Sequence, residues 1–229
     1  MRSFDLIVIG ADSGLEVSVD ASGQGWSVAV VEEGPFGGTC LNRGCIPSKM
    51  LIHCADVMRT VETESEFGIH AKVERIDWPF IIKRATKEVD ADAAMIERGS
   101  QQDANIEMFK GRVAFVGPKA LEVNGEQLTA ETIVIAAGTR PCDPAIPGLD
   151  TVPYITSDEA LRLPEQPKRL TIVGGGYIAA ELAHFSVRWA PKSPWCTARP
   201  KCSARRTTTL PTGSPKSTNA ASTWCWSRS

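Results

Sequence analysis

Two cysteines five residues apart have the clearest chemical potential in this sequence. Cys40 and Cys45 stand in residues 37–49, which read GGTCLNRGCIPSK. A cysteine pair behind two glycines and at the start of a predicted helix suits dithiol–disulfide chemistry. The amino end of a helix favours a thiolate, so we expect a thiol pKa below the ordinary value of about 8.5. The two glycines would let the backbone approach a flat ligand closely.

A zinc site is the main chemical alternative for a cysteine pair, and the sequence does not favour it. Zinc sites usually contain CxxC pairs with further Cys or His residues nearby. His53 and Cys54 lie a helical turn or two beyond the pair and do not complete such a set. The simplest alternative is that Cys40 and Cys45 are two small buried residues. We expect no metal site.

The elements that would position these residues alternate between buried strands and helices. Residues 4–10 (FDLIVIG) form an apolar run that ends in glycine, as a buried parallel strand does. Further buried strands are predicted over 27–32, 131–137 and 169–173. Helices are predicted over 13–25, 45 to about 63, and 77 to about 101. Residues 106–129 alternate around glycine turns and predict a small antiparallel meander.

The order of these elements predicts an α/β fold. The first part forms a doubly wound, Rossmann-like domain with a small antiparallel meander. A strand, a glycine cluster and a helix near residue 175 then predict the start of a second Rossmann fold. Residues 141–167 contain several prolines and predict the connection between the two.

The segment GGTCLNRGCIPSK resembles the active-site signature of the FAD-dependent pyridine nucleotide–disulfide oxidoreductases, and the resemblance covers residues 1 to about 186. Within that family, mycothione reductases and proteins like dihydrolipoamide dehydrogenase look nearest. The resemblance implies that Cys40 is the interchange thiol that attacks a substrate disulfide, and that Cys45 is the charge-transfer thiol beside the flavin. Lys49 matches the lysine near the reactive flavin nitrogen; a solvated helix lysine is the plainer alternative.

The resemblance also implies an FAD site at the turn GADSGL, residues 10–15. The amino end of the following helix would receive the FAD pyrophosphate. Glu32, about 20 residues further on at a strand end, suits a ribose hydroxyl. Asp12 stands where the family has glycine, and a carboxylate at that place repels pyrophosphate. The implied FAD-binding residues are Gly10, Ser13, Gly14, Glu32, Gly38, Thr39, Lys49 and Gly138.

A second glycine cluster, GGGYIAAE, predicts a site for NAD(P)H directly after a strand. Gly174 and Gly176 would form the turn. Tyr177 matches the family tyrosine that covers the nicotinamide pocket; a tyrosine that packs its helix is the alternative.

Residues 187–229 differ in composition from the rest of the chain. They are rich in Ser, Thr, Arg, Pro, Trp and Cys, Leu210 is their only leucine, and they contain no Ile or Phe. Such a segment buries too little apolar surface to offset its ordering entropy, so we predict a non-native or disordered tail. We also considered the codons that could encode this segment in a shifted reading frame, in which each triplet consists of the last base of one codon and the first two bases of the next. With free choice among synonymous codons, this frame permits a strand-forming sequence that contains VVHRS. We therefore hypothesise a frameshift after about Ser186; an authentic disordered tail is the alternative. The absence of an acid in VVHRS slightly favours NADPH over NADH.

These observations predict three parts: an FAD-binding domain with the redox-active cysteines over 1–146, a connection with the first strand and helix of an NAD(P)H-binding domain over 147–186, and the tail over 187–229. The expected function is electron transfer between NAD(P)H, FAD, the Cys40–Cys45 disulfide and a small thiol or disulfide of the mycothione or dihydrolipoamide type. The alternative is an inactive truncated remnant, at most a weak flavin-binding fragment.

The composition also limits the partners that we expect. The net charge of −2 gives no electrostatic reason to expect nucleic acid. No apolar run approaches the roughly 20 residues that cross a bilayer, so we expect no membrane partner and a cytoplasmic protein. The family is homodimeric, and we expect its dimerisation domain to be absent from this chain.

Overall fold

The computed structural model describes residues 1–141, 143–144, 146–189 and 223–225. The chain divides into two compact units. The first consists of Met1–Pro47 and Lys83–Arg140, and the second of Ser48–Ile82 and Pro141–Ser229.

The first unit is built on a six-stranded sheet with the order β3-β2-β1-β6-β5-β4. Its strands are β1 (Arg2–Ile9), β2 (Val28–Glu32), β3 (Ile106–Lys110), β4 (Val113–Gly117), β5 (Ala120–Val123) and β6 (Glu126–Ile135). β1 pairs in parallel with both β2 and β6, and β2 pairs in parallel with β3. β4, β5 and β6 pair antiparallel and form the meander. The sheet therefore has the predicted α/β architecture.

Apolar residues on both faces of β1 and β2 explain why these strands read as continuous hydrophobic runs. Ile7 and Val31 belong to a buried cluster on one face, together with Leu121 and Leu128 of the meander. The alternate residues of the same two strands belong to a second buried cluster on the other face. A strand that is buried on both faces shows no alternation of apolar and polar residues.

The predicted meander over 106–129 is wrong at its beginning. Ile106–Lys110 is β3, which extends the parallel part of the sheet by pairing with β2 from Val28↔Ile106 to Glu32↔Lys110. The strand follows a long helix, and a strand–helix–strand crossover produces a parallel pair. β6 serves both parts of the sheet, and its end is more open than the predicted buried strand, because Ile135 is 68% exposed.

Three helices begin and end close to the predicted residues: α1 (Ser13–Gly23), α3 (Cys45–Glu62) and α4 (Trp78–Ser100). A short helix before Cys45, α2 (Gly38–Arg43), was not predicted, and 3₁₀ segments lie at Glu64–Phe67 and Leu149–Thr151. α3 and α4 each contribute residues to both units.

The second unit contains α5 (Ser157–Ala160), α6 (Tyr177–Trp189) and three short strands. These are β7 (Tyr154–Ile155), β8 (Thr171–Val173) and β9 (Thr223–Cys225), in the order β7-β9-β8. Phe185 lies on the apolar face of α6, and its ring stacks on Trp78 at a centroid distance of 5.5 Å. The indole N–H of Trp78 donates to the carbonyl of Leu163 at 2.8 Å.

The end of the chain is only partly described. α6 runs to Trp189, beyond the predicted change at residue 186. The backbone of β9 pairs antiparallel with β7 and β8, so three residues of the predicted tail form a strand. Residues 190–222 and 226–229 lie outside the described residues, and the predicted three-part division stays a prediction. Among the described residues, no helix is long and apolar enough to cross a membrane.

Candidate dithiol and cofactor site

Two glycines, one in the turn after β1 and one in the first turn of α1, pack closely against their neighbours. Gly10 has φ +108°, and a Cβ atom there would lie 2.1 Å from the carbonyl oxygen of Ala136. A Cβ atom on Gly14 would lie 2.6 Å from Cγ1 of Val8. The N–H of Gly10 donates to Val31 at 2.8 Å. Backbone from β1, β2 and the segment after β6 therefore meets at this turn, as a dinucleotide fingerprint requires.

Glu32 ties the end of β2 to the same turn. Its carboxylate accepts the N–H of Ala11 at 2.8 Å and the N–H of Gly34 at 2.7 Å. A carboxylate offers about four acceptor positions, so two further hydrogen bonds can form there. The predicted contacts of Glu32 and of exposed Ser13 with FAD stay predictions.

Two glycines in the left-handed region lead into the helix that carries Cys40. Gly37 has φ +85° and Gly38 has φ +59°. The N–H of Gly37 donates to the carbonyl of Ala11 at 2.8 Å, which joins the start of α2 to the first glycine turn. The spacing of these glycines in the sequence thus positions the cysteine segment beside the turn after β1.

A break between α2 and α3 brings the two cysteines together. Gly44 has φ −139° and ψ −115°, and it separates the end of α2 from Cys45, the first residue of α3. A Cβ atom on Gly44 would lie 2.8 Å from the carbonyl oxygen of Thr39. The chain therefore turns tightly between Cys40 and Cys45, which are both exposed to solvent.

Asn42 holds this segment from inside and was not among the predicted site residues. Its side chain is 4% exposed, and its amide nitrogen donates to the carbonyls of Phe36 at 2.7 Å and Gly38 at 2.9 Å. Its amide oxygen has no hydrogen-bond partner among the described residues. In the sequence, the only indication of this role was a polar amide residue between the two cysteines. Asn42 fixes the backbone that precedes Cys40.

The expectation of a lowered thiol pKa is wrong for Cys40. The pKa of Cys40 is raised, chiefly by its hydrogen bond with the Cys45 side chain, then by burial and by the charge of Cys45. The Asp12 carboxylate raises it further, and only the backbone N–H of Cys45, at the start of α3, lowers it. The second sulfur and burial outweigh the backbone N–H of Cys45, and the Asp12 carboxylate has the smallest effect.

Asp12 lies directly against the start of α2. A Cβ atom on Gly38 would lie 2.2 Å from Cβ of Asp12 and 2.3 Å from its Oδ2 atom. Asp12 is exposed and makes no side-chain hydrogen bond that caps α1. Oγ1 of Thr39, the next residue of α2, lies 4.0 Å from the Cβ position of Gly138, which has φ +65°. The predicted FAD-binding residues other than Lys49 all belong to the first unit, and their contact with FAD stays a prediction.

Lys49 belongs to the second unit, where it pairs with a residue that was not predicted. Its ammonium lies 2.5 Å from Oε1 of Glu181, and the hydroxyl of Ser48 donates to Oε2 at 3.0 Å. The hydrogen bond from Lys49 is the main reason that the pKa of Glu181 is lowered. Glu181 falls within the GGGYIAAE segment, but nothing in its spacing indicated this partner.

The pairing of Glu181 predicts a pH-dependent stability. A carboxylate with a lowered folded-state pKa stabilises the fold above its unfolded value, near 4.5, and loses this effect as the pH falls through the folded value. Both side chains are more than a third exposed, so E181Q should lower the free energy of unfolding at pH 7 by at most about 1 kcal/mol. Urea unfolding at pH 7 and pH 3 measures this difference.

The matched control for Glu181 is Glu74, an exposed glutamate of the same unit. E74Q should leave the free energy of unfolding unchanged at both pH values. An E181Q effect that persists at pH 3 would show that lost packing, not lost charge, causes the destabilisation.

The second glycine cluster follows β8 in the predicted way. Gly174 has φ +127° and ends the strand, and Tyr177 begins α6 after Gly176. Tyr177 is 80% exposed, so it does not pack its helix within the described residues. Binding of NAD(P)H by these residues stays a prediction. Among the described residues, no group of three or more His, Cys, Asp or Glu side chains could hold a metal ion.

Comparison with known proteins identifies relatives of this arrangement. Residues 4–208 match the family model described as pyridine nucleotide-disulphide oxidoreductase. The chain is 42% identical over 184 residues to a glutathione reductase of Burkholderia cepacia, covering 79% of this chain and 40% of that protein. It is 38% identical over 191 residues to a mycothione reductase of Mycobacterium tuberculosis, covering 80% and 41%.

Solved structures show the same likeness. The HOCl-induced flavoprotein disulfide reductase RclA of Escherichia coli matches with a TM-score of 0.72 and 30% identity, over 83% of this chain and 41% of that one. The chain spans about two fifths of the length of the relatives that it matches. On the extent of the family match and the identity to these reductases, the chain belongs to the pyridine nucleotide–disulphide oxidoreductase family.

Proposed function

We propose that this chain carries the dithiol of an FAD-dependent disulfide oxidoreductase, in which electrons pass between NAD(P)H, FAD, the Cys40–Cys45 pair and a small disulfide. The observation that supports this most directly is the tight turn at Gly44, where a Cβ atom would lie 2.8 Å from the carbonyl oxygen of Thr39, between two cysteines that are both exposed. Both residues are exposed, and the segment that carries them is joined by backbone to the glycine turn after β1.

The first unit fits FAD in all but one respect. The close packing of Gly10 against Ala136 and of Gly14 against Val8 matches the glycines of a dinucleotide fingerprint, and Glu32 retains acceptor positions near this turn. The 11-residue helix α1 directs its amino end to the turn, which favours a phosphate. Asp12 is the exception, because its carboxylate adds negative charge there. When bound, FAD supplies the two-electron relay between the pyridine nucleotide and the dithiol.

The family resemblance assigns the roles of the two sulfurs in this chemistry. The Cys40 thiolate attacks one sulfur of a substrate disulfide, a new S–S bond forms, and the first substrate thiol leaves with a proton. The Cys45 sulfur then attacks Cys40, closes the protein disulfide and releases the second substrate thiol. The substrate gains two electrons and two protons, and the dithiol loses them. An exposed pair allows a substrate to reach Cys40.

The finer assignments follow from the family resemblance. We propose a small substrate of the mycothione or dihydrolipoamide type, since glutathione and mycothione reductases are among the relatives. Gly174, Gly176 and Tyr177 would bind NAD(P)H, with NADPH slightly favoured, and Lys49 would lie near the flavin. A cytoplasmic location would keep the two thiols reduced between turnovers, and a homodimer is the assembly that the family implies.

The test is whether the pair cycles between dithiol and disulfide. Incubation of the full chain with oxidised glutathione should produce a Cys40–Cys45 disulfide, detected by peptide mapping, and dithiothreitol should remove it. C40S and C45S should each lose this disulfide completely, whereas C54S, which changes a cysteine outside the pair, should retain it. A chain in which Cys40 and Cys45 never form the bond would be an inactive remnant, and the proposed function would be wrong.

A further inference from the structure

The Asp12 side chain lies against the backbone of Gly38, which leads to Cys40. Its Cβ, Cγ and Oδ2 atoms would all lie within 2.4 Å of a Cβ atom on Gly38. Gly38 is the first residue of α2, two positions before Cys40. The side chain therefore rests on the helix that carries Cys40, and both Asp12 and Cys40 are exposed.

We propose that Asp12 is a positioning residue of the dithiol site, whose carboxylate opposes negative charge on Cys40 and so slows the thiolate reactions of this cysteine. The inference rests on the proposed function of the pair and adds a residue to it. The titratable groups that act on Cys40 are Cys45 and Asp12. The sulfur of Cys45 is required for the disulfide, so Asp12 is the group that can be changed without removing the chemistry.

The physical reason is like-charge repulsion at short range. A carboxylate and a thiolate that lie near each other at the surface repel, and the proton on the thiol relieves this repulsion. The pKa of Cys40 is raised in part by this carboxylate, in agreement with the geometry. Because the site is exposed, salt weakens the interaction. A purely structural role for Asp12 would not depend on salt in this way.

The experiment measures the alkylation rate of Cys40 by iodoacetamide as a function of pH, with peptide mapping to separate the cysteines. D12N removes the charge and keeps the shape. It should raise the rate at pH 7.5 by roughly two- to fivefold at about 0.05 M salt and move the pH midpoint down. The increase should shrink in about 0.5 M KCl. D12E, which keeps the charge, should retain the slow rate.

Two controls keep the test specific. D20N removes a carboxylate from the same helix, eight residues further along and about 12 Å away by helix rise, and should leave Cys40 unchanged. Cys54 serves as an internal control in the same samples. Its thiol donates to the carbonyl of Met50 within α3, a contact that does not involve Asp12, so its alkylation rate should be unaltered. D12G serves as a second uncharged variant, should D12N fold poorly.

The outcomes distinguish this inference from the proposed function. An unshifted pH midpoint in both D12N and D12G, or a rate increase that is equal at low and high salt, would overturn the role of Asp12. Failure of the pair to form a disulfide with oxidised glutathione would instead refute the proposed function. Faster, salt-sensitive alkylation of Cys40 in D12N supports the role of Asp12 in either case.

Discussion

Replacing Gly10 with alanine is expected to lower the free energy of unfolding by more than about 3 kcal/mol. Two costs add at this position. The backbone has φ +108°, which L residues rarely adopt, and the new methyl group would lie 2.1 Å from the carbonyl oxygen of Ala136. That oxygen belongs to backbone held by the hydrogen bond from Ala136 N–H to Ile9 at 2.7 Å, so it cannot move without disturbing the β1–β6 pair.

Gly25 provides the matched control, because its φ is +84° and no atom lies within 4 Å of a Cβ there. G25A should therefore cost only the strain of a left-handed residue, about 1–2 kcal/mol. Urea unfolding followed by circular dichroism measures both variants. If G10A and G25A lower the free energy of unfolding equally, the close contact between residue 10 and Ala136 does not contribute to the loss. The conclusion that β1 and the segment after β6 pack tightly at Gly10 would then be wrong. Should G10A be insoluble, thermal unfolding of G14A, whose Cβ atom would meet Val8, provides the second case.

The parallel sheet could be predicted from the sequence because its strands are buried on both faces. Continuous apolar runs in β1 and β2, each ending in glycine or an acid, leave few other interpretations. β3 was misassigned because glycine turns follow it at Gly111 and Gly117, as they do between the strands of a meander. Only the partner decides whether such a strand joins the meander or the parallel sheet, and the partner, β2, lies more than 70 residues away in the sequence.

The candidate site shows the same limit at the level of side chains. Glycine positions were predictable, since a turn that excludes Cβ atoms leaves its mark directly in the sequence. The partners of polar side chains were not, because the bond between Lys49 and Glu181 joins residues 132 positions apart. The raised pKa of Cys40 has the same origin: the helix end could be foreseen, whereas the closeness of Cys45 and Asp12 depends on the folded backbone.

Replacing Asp12 with glycine is expected to strengthen FAD binding by about tenfold, which corresponds to about 1.4 kcal/mol. The pyrophosphate carries negative charge, and the turn GADSGL is the place where the amino end of α1 would receive it. The Asp12 carboxylate lies at that end of α1 and against Gly38, so it both repels phosphate and fills space beside the backbone. Glycine removes the charge and the volume together. Isothermal titration of the full chain with FAD measures the change.

The comparison of D12G with D12N separates these two contributions. D12N removes the charge and keeps the volume of the side chain. If the FAD affinity of D12N lies between those of the unchanged chain and D12G, the difference between D12N and D12G is due to the space that the side chain fills. D20N, on the same helix, should bind FAD as the unchanged chain does. Repulsion by Asp12 should also weaken as salt is added, which makes the advantage of D12G smallest in concentrated KCl. Equal FAD affinity of the unchanged chain, D12N and D12G at low salt would mean that the carboxylate does not face the phosphates. Asp12 would then act only on Cys40, and the fit of the turn to FAD would not depend on it.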